Sequence, residues 1–142
     1  MVTQFAVNSA GAAVLTGTTG STLATSRYAT QQNILNQQEQ NLFEAAFGGL
    51  TVSSIADTQL LNTMLAGAPA LATVFPATGI GPQMKMIARM IGLAPQLGLT
   101  RQVFFASLGG FDLHSDQLVP HATLFQDLSQ GLNAFSLSLI HI

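Results

Sequence analysis

The sequence predicts an α/β fold, helix-rich, with one buried strand at about residues 102–108. Two observations carry that prediction. Val103-Phe104-Phe105-Ala106-Ser107-Leu108 is a nearly continuous apolar run of strand length closed by Gly109-Gly110, which suits a strand covered on both faces in a parallel sheet. From about Val119, Leu124, Phe125, Leu128, Leu132 and Phe135 recur at helical spacing, so a strand, a loop and a helix follow one another as in a βα unit.

Before that unit the elements come in order. Residues 3–16 read as one or two short strands, Gln4-Phe5-Ala6-Val7 and Ala13-Val14-Leu15, with Gly11 as the break. Thr16 to Ser26 is rich in Gly, Ser and Thr and reads as a connector; no Lys follows in the pattern of a phosphate-binding loop. From about Arg27, Tyr28, Ile34, Leu35, Leu42, Phe43 and Phe47 predict an amphipathic helix stopped by Gly48-Gly49. A second helix is expected to be capped by Ser53 or Ser54 and to end at Gly67, before a proline-containing loop over 68–80. Gly81-Pro82 opens a third, because proline tolerates the first helical turn. Met84, Ile87, Ala88 and Ile91 form its expected buried stripe, Lys85 and Arg89 a solvated face, and Gly92 and Pro95 its end.

Composition narrows the functional classes. Only 7% of the 142 residues are charged, with a net charge of −2, against roughly 25% in ordinary globular chains. Polarity comes from Gln, Asn, Ser and Thr. Such a surface suits a segment covered by other protein, and the small domain with few charges is the plainer reading. No Lys/Arg cluster is present to neutralise phosphates, so nucleic acid is not an expected partner. The absence of cysteine removes disulfides, thiolate metal sites and a Cys nucleophile. No apolar run approaches the ~20 residues of a membrane helix, and no signal peptide is visible at the first residues.

The candidate site follows the expected strand. Asp112 and His114 lie just past its carboxyl end, where ligands gather in α/β sheets. Two positions apart in an extended segment they face one side, and a carboxylate with an imidazole can share Zn²⁺ or Mn²⁺. Gly109 and Gly110 let the backbone turn and leave room for a ligand. The competing reading is structural: Asp112 satisfies loop amides and His114 packs at the helix entry. Two side chains do not close a metal site. His121, near the first turn of the following helix, is a weaker third candidate and reads more readily as a half-exposed surface histidine, and Asp116 reads as a cap or a loop residue preceding the helix. Ser107 and Ser115 stand near His114, but no nucleophile-elbow pattern surrounds them.

Several stretches carry a family resemblance: Phe75-Pro76, Gln83-Met84-Lys85-Met86-Ile87-Ala88-Arg89, Arg101-Gln102-Val103-Phe104-Phe105, Gly109-Gly110-Phe111-Asp112-Leu113-His114-Ser115-Asp116-Gln117, and His121-Ala122-Thr123-Leu124 to Asn133-Ala134-Phe135. Together they resemble the bacterial family catalogued as domain of unknown function 1501, specifically over 75–135 and loosely over 1–74. That resemblance implies a partial α/β/α sandwich of the alkaline-phosphatase-like type, shared with sulfatases. It implies a divalent metal, Zn or Mn, with Asp112 and His114 among its ligands. It also implies hydrolysis of a small phosphate or sulfate ester, and twin-arginine export to the periplasm. The family usually has Thr at the position of Leu113, which bears on the geometry between the two ligands. Its later Ser-Glu-Phe-Gly-Arg and Asp-His-Gly motifs do not occur in this chain.

The chain is therefore expected to be an internal fragment lacking the remainder of its own domain, inactive alone and without a tightly bound metal. The alternative is a non-catalytic secreted binding or assembly protein that keeps the fold. Leu137-Ser138-Leu139-Ile140-His141-Ile142 reads as one frame of the transposase adapter used in sequencing libraries. Residues 1–136 are thus expected to form a single partial domain, with 137–142 a non-native tail whose His141 is not counted as a ligand.

Overall fold

The computed structural model describes residues 7–37 and 41–142. Four helices and one two-stranded sheet make up its regular structure: β1 (Val7–Asn8), β2 (Gly11–Ala12), α1 (Thr22–Leu35), α2 (Leu42–Gly67), α3 (Gly81–Leu93) and α4 (Leu118–Leu139). The described residues group into two compact units. One holds Val7 and Ala12–Thr63; the other holds Asn8–Gly11 and Met64–Ile142.

Towards the N-terminus the sequence boundaries shift. The Asn8 side-chain oxygen accepts hydrogen bonds from the Ala10 and Gly11 amides at 2.8 and 3.2 Å, an Asx-type turn that sets the hairpin. Gly11, with φ 142°, belongs to a strand instead of ending one. Ala13-Val14-Leu15 forms no strand, and Gln4–Ala6 lies outside the described residues. Ala12 has its backbone paired on both groups by Asn62, whose amide accepts at 3.1 Å and donates at 3.5 Å.

Helix α1 starts five residues before the expected Arg27. Ser21, in extended conformation, accepts from the Ala24 amide at 3.2 Å and satisfies one of the four open amides of a helix start. The helix stops at Asn36, whose amide bonds back to the Gln32 carbonyl at 3.1 Å, while the Gln37 amide bonds to the Ile34 carbonyl at 3.1 Å. Asn41 then accepts from the Phe43 amide at 2.9 Å and starts α2. This helix runs straight through Gly48-Gly49, the predicted stop, and through the predicted second start at Ser53. A mid-helix glycine costs only about 1 kcal/mol relative to alanine, and 26 residues of continuous α2 outweigh two such costs.

The second unit is built on α3 and α4. Pro82 occupies the first turn of α3, as expected. Met86, Ala88, Met90 and Leu93 are its buried positions, while Met84, Ile87 and Ile91 are half-buried, so the stripe is rotated from the expected one. Gly92 lies inside the helix, and Ala94 caps it. Lys85 is exposed, but Arg89 is half-buried and donates through Nη2 to the Leu65 carbonyl, so only half of the predicted solvated face exists. Against α3, α4 places Gly131, Ala134 and Ser138; Gly131 lies close under Ile80. Leu137–Leu139 continue α4, and Ser138 is buried with its hydroxyl donating to Phe135 O at 2.7 Å.

The buried strand expected at 102–108 is not formed. The run is extended, but no strand pairs with it among the described residues, and Val103 and Phe105 are 98% and 90% exposed. An apolar run becomes a central strand only when neighbours supply both its ladder and its cover. The described molecule is mostly helical with a small sheet. No helix among the described residues is long and apolar enough to cross a membrane.

Candidate functional site

Between the extended run and α4 the chain makes three closely spaced conformational changes. Gly110 has φ 93°, a conformation that glycine adopts without a steric cost. A Cβ there would meet the Leu124 methyls at an ordinary 3.7 Å, so the backbone angle and not crowding selects glycine. Next, the Leu113 amide donates to Phe111 O at 3.2 Å, closing a three-residue turn with Asp112 at its apex. Asp116 then takes φ 48°, a left-handed conformation that Asp tolerates better than most residues.

These turns change the expected geometry. Asp112 and His114 do not lie in an extended segment, so strand alternation does not place them on one face. Of its two expected roles Asp116 takes that of a loop residue preceding α4: Gln117 holds the cap position without a side-chain cap bond, and its Nε2 donates to Leu113 O at 2.8 Å. Asp112 and His114 are both exposed, and neither side chain makes a hydrogen bond among the described residues. The structural reading of the pair, loop amides for Asp112 and packing for His114, is therefore not what holds this loop.

The loop is held by other groups. Phe111 O accepts from the His121 ring at Nε2, 3.0 Å away, as well as from Leu113. A carbonyl only accepts, so Nε2 carries the proton in this contact. The His121 ring also sits against Phe111 and Phe125, with centroids at 5.9 and 6.4 Å, and Phe111 and Phe125 are 5.5 Å apart. His121 thus fastens the loop to α4, and only its Nδ1 remains to bind anything else. Gln83 fastens the other end: it donates to Ser107 O at 2.8 Å and accepts from Ser107 N at 3.0 Å.

Among the described residues no group of three or more His, Asp or Glu side chains converges in a way that would hold a metal ion. Asp112 and His114 remain two neighbouring donors on a turned loop beside Gly109 and Gly110. Gln83, Phe111, Gln117 and Phe125 organise that loop, and none of them is a site candidate in the sequence. Phe125 had a signal, since it lies four residues after His121 on a predicted helix; Gln83, 24 residues from its partner, had none. No family model matches the chain, and neither the curated proteins nor the solved structures include a match to it.

Proposed function

We propose that Asp112 and His114 are two ligands of a divalent-cation site in an exported protein of the phosphatase and sulfatase type. The observation that carries this reading is that a carboxylate and an imidazole stand exposed and unpaired on one short loop, flanked by Gly109-Gly110 and tied down by its neighbours. A carboxylate oxygen with an imidazole nitrogen suits borderline cations such as Zn²⁺ and Mn²⁺. A bound cation supplies Lewis-acid polarisation of an ester oxygen, or lowers the pKa of a nucleophile. The chain's own part is to present the two donors with their loop pre-turned, which limits the ordering cost of binding. A closed site takes at least one more protein ligand than this pair provides, so this chain holds the metal weakly and does not turn over substrate by itself.

Paramagnetic broadening by Mn²⁺ tests the proposal. Added Mn²⁺ is expected to broaden amide resonances around 109–116 selectively, and Asp112→Ala or His114→Ala should each abolish the selectivity. Broadening spread over all the acidic residues, or unchanged in both variants, would overturn the assignment. The second reading, a non-catalytic binding or assembly protein, draws on one observation. Val103 and Phe105 before the pair, and Leu118 and Val119 after it, are exposed apolar side chains, more suited to a protein contact than to a solvated loop.

A further inference from the structure

The stretch from Gln102 to Leu108 has the side-chain pattern of a strand. Gln102, Ala106 and Leu108 are half-buried and Phe104 is 36% exposed, while Val103, Phe105 and Ser107 face solvent. In an extended chain the N–H and C=O of one residue point to the same edge, and those of the next residue to the opposite edge. Gln83 exchanges both bonds with Ser107, as the facing residue of an antiparallel pair would. Its side-chain amide therefore occupies the edge that Val103, Phe105 and Ser107 share. The opposite edge belongs to Gln102, Phe104, Ala106 and Leu108, and no hydrogen bond to their backbone groups is formed among the described residues.

We propose that this open edge pairs antiparallel with the same edge of a second copy of the chain. The sequence of the run favours a copy of itself as the occupant. From Gln102 to Phe111 there is neither a charged residue nor a proline, so an identical strand meets no like charge, and neither charge nor proline blunts the edge. The parity of the open edge also fixes the register. Pairing all four residues sets Gln102 against Leu108 and Phe104 against Ala106, with the two-fold axis passing at Phe105. Such an interface is isologous and closed, so it makes a dimer and not a filament. The same register brings the two Phe105 rings together at a close, non-hydrogen-bonded position and sets Val103 against Ser107. The two most exposed side chains of the run thereby gain neighbours. This inference stands apart from the metal assignment, since it uses neither Asp112 nor His114.

Sedimentation equilibrium of the whole chain, from low micromolar to millimolar concentration, tests it together with amide hydrogen exchange. The expected mass rises from 14.9 kDa towards twice that value. In the dimer, exchange at Phe104, Ala106 and Leu108 slows while that at Val103 and Phe105 does not. Phe105→Lys places two ammonium groups directly opposite each other and should raise the dissociation constant about tenfold or more. Because Phe105 is 90% exposed, this substitution removes no packing within the monomer. A mass that stays at 14.9 kDa overturns the proposal. So does a dimer whose exchange shows no odd–even alternation, which would mean association through another surface.

Discussion

Side-chain amides replace missing strand neighbours in this chain. Asn62 pairs with both backbone groups of Ala12, and Gln83 does the same for Ser107. In a sequence poor in charge, Asn and Gln carry the one polar group that donates and accepts in a single plane, as a peptide does. Glycine works at the same scale by permitting close approach. A Cβ at Gly81 would overlap Pro76 O and lie 2.9 Å from the carbonyl carbon, both of them backbone atoms; at Gly131 it would crowd the Ile80 Cγ2 methyl at 2.6 Å and stand at ordinary contact distances of 3.5 and 3.7 Å from Gly81 N and Cα. Backbone cannot step aside as a methyl can. Gly81→Ala is therefore expected to destabilise the second unit by about 2 kcal/mol. Gly131→Ala should cost less, about 1 kcal/mol, because the helix-propensity gain offsets part of the cost of shifting the buried, β-branched Ile80. Urea unfolding followed by far-UV circular dichroism measures both, and equal losses in the two variants would contradict this account.

At the level of elements, Gly48-Gly49 gives the sharpest test of what holds α2 together. Both glycines lie inside a continuous helix, but they are not equivalent. A Cβ at Gly49 meets nothing within 4 Å, whereas one at Gly48 approaches Leu35 O at 3.0 Å. Gly49→Ala should thus stabilise the first unit by about 1 kcal/mol, and Gly48→Ala by clearly less; a loss in the Gly49 variant would mean that the helix is interrupted there. The same segment explains which parts of the fold the sequence displayed. Start and stop signals at Pro82, around Leu118 and in the 68–80 loop lie within a few residues of the boundaries they set, so α3 and α4 were legible. Asn36 and Asn41 cap by side-chain bonds that composition does not distinguish from other polar positions, so one predicted helix hid the α1–α2 break. The run at 102–108 reads in the sequence as a continuous apolar strand covered on both faces, but its ladder and its cover depend on partners that no local pattern contains. The Asp112–His114 loop was placed correctly after that run. Its tight turn at Asp112 is a local Leu113–Phe111 bond that no residue type there announces, and the His121–Phe111 bond spans 10 residues, beyond any spacing rule.

For the whole molecule, the governing quantity is the ratio of exposed apolar side chains to charge. Phe43, Val74, Phe105 and Leu118 are all largely exposed, while a net charge of −2 spread over 142 residues supplies little repulsion. Association beyond the strand edge should then follow apolar hydration and not ion pairing. These two causes respond differently to salt. Raising sodium chloride shrinks the Debye length from about 10 Å at 0.1 M to about 3 Å at 1 M, which affects only charge–charge terms. Sulfate strengthens apolar burial through exclusion from the surface. In the Phe105→Lys chain, where strand pairing is suppressed, the osmotic second virial coefficient from light scattering should turn more negative with ammonium sulfate. At equal ionic strength, sodium chloride should change it much less. If sodium chloride produced the larger change, charge pairs would dominate the surface, and the exposed apolar groups would not set its behaviour. The same measurement on a chain carrying Phe43→Glu and Val74→Glu should move the coefficient towards zero in sulfate, since each substitution removes exposed apolar area and adds a charge. Neither side chain is buried within its own unit, so the thermal midpoint should stay unchanged as the coefficient rises.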